Sequence, residues 1–103
     1  MLAKISIFPT DKGESVSAYV VKVIEYIIKE AERTGIKYDV TSMGTIIEGE
    51  FDDIWKLLKE CHNIMRRDSN RVYITIEIDD RKGKSNALTY KKEKINEMLK
   101  NKN

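Results

Sequence analysis

The chain contains no glutamine, and only one cysteine, one histidine and one proline among its 103 residues. A lone Cys61 excludes an intramolecular disulfide and a cysteine-based zinc cluster. A lone His62 leaves no Ser-His-Asp or Cys-His constellation to build, and neither a P-loop nor a GxGxxG is present, so ordinary nucleophilic catalysis is not expected. No apolar run approaches the roughly 18 residues that span a bilayer. The N-terminus, Met1 to Phe8, alternates like a strand instead of reading as a signal peptide, so the cytoplasm is the expected location. Charge of one sign is also missing. Nineteen basic against seventeen acidic residues leave +2, too balanced to point to nucleic acid. The absence of glutamine beside abundant lysine, glutamate and isoleucine fits a heat-adapted source.

What is present is a chain that is 41% hydrophobic and 35% charged. Its length predicts a single domain over residues 1–103, able to bury roughly 65% of its unfolded surface. Residues 2–8 alternate and predict a strand that Pro9 stops, followed by a loop from Thr10 to Ser15. Val16, Val20, Val23, Ile24, Ile27, Ile28 and Ala31 recur at helical spacing, with Ser15 or Ser17 as N-cap and Gly35 as stop. Residues 36–42 and 44–50 predict two strands of a hairpin about Met43-Gly44. A second helix runs from about Phe51 to Arg67, with Asp52 and Asp53 in its first turn and Arg66 and Arg67 in its last, matching the helix dipole. Its buried stripe is Ile54, Leu57, Leu58, Cys61, Ile64 and Met65, which makes Cys61 a core residue and His62 a surface one. Residues 72–79 alternate most cleanly of all. Beyond a basic loop, Arg81 to Asn86, a helix from Ala87 to Leu99 should turn Leu88, Ile95, Met98 and Leu99 inward, and the tail from Lys100 should fray. The order β-α-β-β-α-β plus a C-terminal helix predicts an α+β, ferredoxin-like split βαβ: an antiparallel sheet of order 4-1-3-2 with two helices on one face.

Strand parity then sorts the side chains. Ala3, Ile5, Ile7, Val40, Ile47, Val72, Ile74, Ile76 and Ile78 should meet the helices. The other face should carry Lys4, Ser6, Phe8, Asp39, Thr41, Met43, Ile46, Glu48, Tyr73, Thr75, Glu77 and Asp79, with Ser6 and Phe8 between the fourth strand and Glu48. Glu48 is the anomaly, because a carboxylate inside an apolar strand costs free energy unless something meets it. Solvent, a second subunit or a cationic ligand would each serve. A face mixing carboxylates, hydroxyls and aromatic rings suits a small organic cation, with rings to stack on Phe8 or Tyr73 and a charge to meet Glu48 or Glu77. It also suits a plain subunit interface, with those carboxylates paired to Lys4 or an arginine across the contact.

Four segments, Ser15-Val16-Ser17-Ala18-Tyr19-Val20, Met43-Gly44-Thr45-Ile46-Ile47-Glu48-Gly49-Glu50, Leu57-Leu58-Lys59-Glu60-Cys61-His62 and Arg71-Val72 with Ile78-Asp79-Asp80-Arg81, resemble the small thiamine-binding protein family in type and order. The resemblance covers residues 2 to about 99. It implies a ligand such as thiamine or a pyrimidine precursor, a homodimer or homotetramer joined through sheet edges and open faces, and neither catalysis nor a cofactor. Matching motifs add Thr45 and Ser17 as hydroxyl contributors, beside Glu48. Ser6, Phe8, Tyr73, Thr75 and Glu77 come from sheet parity. An RNA-binding module of the same strand order needs aromatics on the third strand, where Thr45 to Glu50 offers carboxylates that repel phosphate. An acylphosphatase-like enzyme needs an arginine in the loop from Pro9 to Ser15, which has none. The expected partners are therefore a small molecule and other copies of the chain, not nucleic acid or membrane.

Overall fold

The computed structural model describes residues 1–83 and 87–101. The expected loop residues Lys84-Ser85-Asn86 and the last two tail residues, Lys102 and Asn103, lie outside them. The elements are β1 (Leu2–Pro9), α1 (Ser17–Thr34), β2 (Lys37–Thr41), β3 (Gly44–Glu48), α2 (Phe51–Asp68), β4 (Val72–Asp79) and α3 (Ala87–Lys100). The sheet order is β2-β3-β1-β4, every pair antiparallel, which is the expected 4-1-3-2 order viewed from its other edge. The fold is the ferredoxin-like split βαβ with an added C-terminal helix.

Burial follows the parity of the strands. Ala3, Ile5, Ile7 and Ile47 from the sheet meet Val23 and Ile27 of α1 and Ile54, Leu57, Leu58, Cys61 and Met65 of α2, with Ile36 closing one end. Each large apolar side chain removed from water in this way stabilises the fold by about 1.5–3 kcal/mol. Gly35 stops α1 in the left-handed conformation at φ 82°, its N–H bonded to the carbonyl of Ala31. The start of α1 differs from expectation: Val16 occupies the N-cap position, no side chain caps it, and Ser17 is the first helical residue.

Two connections are tied together. The Ser69 hydroxyl donates to one Asp11 carboxylate oxygen at 2.6 Å and the Asn70 N–H to the other at 2.9 Å. Beside them the Thr10 N–H donates to the Arg71 carbonyl at 2.9 Å, and Lys22 pairs with Asp68 at 2.7 Å. The β1–α1 loop is thereby fastened to the α2–β4 turn.

The C-terminal helix lies on the other side of the sheet. It contacts β3, and Lys92 reaches Asp39 on β2 at 2.6 Å. Leu88 is half-buried, but Ile95, Met98 and Leu99 are 57, 58 and 57% exposed, against the expectation that they face inward. The helix is long relative to the sheet it crosses, so among the described residues its distal turns stay exposed. The radius of gyration, 15.4 Å, correspondingly exceeds the roughly 13 Å expected of a compact domain of this length. No described helix is long and apolar enough to cross a membrane.

Candidate functional site

The register of the strands controls what can meet what. β1 and β3 run in opposite directions, with Leu2 opposite Glu48 and Ile5 opposite Thr45. Glu48 thus has Leu2 and Lys37 as its cross-strand neighbours, not Ser6 and Phe8 as the sequence suggested. Parity was right, but antiparallel sense puts the C-terminal end of β3 beside the N-terminal end of β1. Four residues at about 3.3 Å each separate Glu48 from the level of Ser6, roughly 13 Å. Glu48 is only 7% exposed, on the side of the sheet that α3 packs against.

The same register ends β3 early. Ladder pairing between β1 and β3 stops at Ile5–Thr45, whereas β1 continues beside β4 to Pro9. A two-residue turn, Ser42-Met43, then closes the hairpin, with the Thr41 hydroxyl donating to the Gly44 carbonyl at 2.6 Å and accepting from the Met43 N–H at 3.3 Å. Gly44 has φ 141°, and a Cβ there would stand 2.9 Å from the carbonyl oxygen of Ile5, so only glycine lets the turn lie this close to β1.

Between this turn, the free flank of β1 and the N-terminal half of α1 is a cavity of about 340 Å³, within the range that holds small organic ligands. Val16, Val20, Val23 and Ile24 supply an apolar wall; Ser6, Phe8, Thr41, Ser42 and Thr45 bring polar or aromatic groups. Thr45 faces the helices together with Ile5 and is 7% exposed. Among the described residues no carboxylate lines the cavity.

Of the residues singled out from the sequence, Ser6, Phe8 and Thr45 line this cavity, Thr45 from the helix side of the sheet and Ser6 and Phe8 from β1 positions that alternate to its other side. Tyr73 joins them from the side, its ring stacked on Phe8 with centroids 5.4 Å apart and 28° between planes. Thr75 stands opposite Ser6 in register. Glu77 pairs with Lys4 of the same chain at 3.0 Å, in a separate cleft of about 250 Å³ with Leu2, Ile46 and Asp79. Ser17 is exposed on the first turn of α1, next to the lining residue Val16 but not in the cavity. The α1 wall escaped the sequence reading, because valines and isoleucines at helical spacing look alike whether they meet core or cavity. The available signal was Thr45, a hydroxyl in a row otherwise made of isoleucines.

Acid–base chemistry does not gather here. Burial, with a smaller contribution from Glu60, pushes the Cys61 thiol up to about 12, and His62 is exposed on the outer side of α2. Among the described residues no three His, Cys, Asp or Glu side chains group in a way that could hold a metal ion.

Known proteins resemble the chain along nearly its whole length. Residues 3–96 match the family model described as thiamine-binding protein. The UPF0045 protein MJ1052 of Methanocaldococcus jannaschii is 39% identical over 98 residues, covering 95% of this chain and 94% of that protein. The crystal structure of MJ1052 superposes with a TM-score of 0.80 over 93% of this chain and 95% of that one, at 40% identity. The UPF0045 protein YqgV of Bacillus subtilis is 35% identical over 100 residues, 95% of this chain and 96% of its own. The chain belongs to the thiamine-binding protein family.

Proposed function

We propose that this protein binds thiamine, or a related aminopyrimidine or thiazolium compound, without catalysing its conversion. The observation that carries this reading is the cavity beside the hairpin, apolar on its α1 side and lined by Thr45 on its β3 side. A flat neutral ring fits such walls. A cation does not, since burying an unpaired charge is far more costly than burying a polar group. The pyrimidine ring of thiamine therefore enters, and the thiazolium stays at the mouth, where Phe8 and Tyr73, 37 and 56% exposed, present ring faces. A cation over such a ring gains about 0.5–2 kcal/mol. Ser6, Phe8 and Thr45 are the proposed contacts, with Tyr73 and Thr75 at the rim. Ser17, Glu48 and Glu77 lie outside the cavity, and direct contact is not proposed for them within one chain.

Calorimetric titration with thiamine, thiamine phosphates and 4-amino-5-hydroxymethyl-2-methylpyrimidine tests the proposal, supported by thermal shift. A ligand at 100 times its dissociation constant adds about 2.7 kcal/mol of stability. Absence of heat and of thermal shift with all of them refutes it.

A second reading, a structural or regulatory oligomer, is favoured by different residues. Ile76 and Ile78 of the edge strand β4 are 38 and 40% exposed although they point to the helix side, and the α3 stripe is uncovered. An eight-residue apolar edge is a template for pairing with another chain. Self-association as a homodimer or homotetramer is compatible with ligand binding, and native mass spectrometry reports subunit number and any co-purified ligand together.

A further inference from the structure

The free flank of β1 carries more than side chains. The Met1 amine donates to the Gly49 carbonyl at 2.8 Å and the Gly49 N–H to the Met1 carbonyl at 3.1 Å. In an antiparallel ladder such exchanging pairs alternate with non-bonded ones. Ala3 and Ile5 therefore also direct their N–H and C=O at β3. On the other side the Thr10 N–H bonds the Arg71 carbonyl, so Phe8, Ser6, Lys4 and Leu2 direct theirs at β4. Ile7 belongs to the first set. Its N–H and C=O point to the side where β3 has already ended, and it lines the cavity. Ile7 is 7% exposed, and among the described residues no backbone hydrogen bond joins it to Ser42 or Met43 of the turn.

We infer that the main-chain N–H and C=O of Ile7, together with the Thr45 hydroxyl, read the amidine edge of an aminopyrimidine. The inference rests on the proposed function and names how that site selects its ligand. The N–H and C=O of one extended residue lie side by side, as they do when they meet a partner strand. A ring nitrogen adjacent to an exocyclic amino group offers the matching acceptor and donor. Buried backbone groups without partners are costly, so a ligand that satisfies both gains over one that satisfies a single group. An extended peptide fits less well. Pro9, the next residue whose backbone faces this flank, has no N–H, so beyond Ile5 the flank offers one donor and then only acceptors. That is enough for one flat ring and too little for a strand.

The test uses the full chain, labelled with nitrogen-15, titrated with 4-amino-5-hydroxymethyl-2-methylpyrimidine and with its counterpart lacking the 4-amino group. The Ile7 amide proton should move downfield with the amino compound. Removing the amino group leaves the Ile7 carbonyl unpaired and should weaken binding by at least about tenfold. Thr45→Val, close in shape, should weaken it by about threefold to tenfold. Equal affinity for the two pyrimidines, or binding that leaves the Ile7 amide unmoved, overturns the inference while the proposed function stands. Failure of thiamine and both pyrimidines to bind overturns both. An added extended peptide that moves the Ile7 amide when the pyrimidine does not assigns the flank to a protein partner and also overturns the inference.

Discussion

Ile46 and Ile47 are the same residue type, adjacent in β3, and should behave differently when truncated. Ile47 is fully buried on the side of the two main helices, in register with Ala3 of β1 and Tyr38 of β2. The methyl of Ala3 cannot fill the space a truncation leaves, so Ile47→Ala should cost about 3–4 kcal/mol, within the 2–5 kcal/mol seen for such changes. Ile46 points the other way, in register with Lys4 and Asp39, and is half-buried. Ile46→Ala should cost about 1 kcal/mol, since only part of its transfer free energy is at stake. With a urea m-value of about 1.5–2 kcal/mol/M, the Ile47 variant should unfold about 2 M earlier than the parent and the Ile46 variant about 0.5 M earlier. Urea titration by circular dichroism measures both midpoints. Equal losses, or a larger loss at Ile46, would refute the parity and the register of β3 together, because a slip of one residue exchanges the two faces.

Three further outcomes can be measured. Cys61, raised to about 12 by burial, should not react with a thiol reagent at pH 8 until denaturant is added; rapid native reaction would contradict its place in the core. Asp11 is held below the ordinary carboxylate range by the Ser69 hydroxyl and then the Asn70 N–H, and Asp68 by its hydrogen bond to Lys22. A carboxyl depressed on folding stabilises the protein above its unfolded value, and that contribution disappears as pH falls through the folded value. The melting temperature of Asp11→Asn should accordingly lie below the parent at pH 7 and approach it as pH falls below the ordinary carboxylate range; a gap that stays constant as pH falls would show that Asp11 acts without its charge. The double variant Ile95→Lys, Met98→Lys should lower the subunit number in native mass spectrometry if the uncovered stripe of α3 joins copies, and an unchanged mass would remove α3 from the interface.

Glu48 shows where sequence reasoning was sound and where it stopped. Alternation placed it on the face opposite Ile47, and the structure agrees. Its neighbours could not be found the same way. They depend on which residue of β1 stands across from it, and periodicity carries a side chain's face without its position along the partner strand. α3 gives a second example. Its apolar spacing announced a buried stripe, yet a stripe says only that something should cover it. Among the described residues Ile95, Met98 and Leu99 stay exposed.

The sequence by itself determined the elements, their order and the parity of each strand, because hydrophobic period and turn residues are local quantities written along the chain. Residues 72–79 could be read as a strand, and Phe51 to Arg67 as a helix with Cys61 inward, before any contact was known. Only the tertiary structure decided that the β1–β3 ladder ends at the level of Ile5, that Thr45 faces a cavity, and that Ile7 has a strand beside it on the β4 side alone. These follow from register and from the lengths of paired strands. Both are relations between segments about forty residues apart, and no window along the chain contains them.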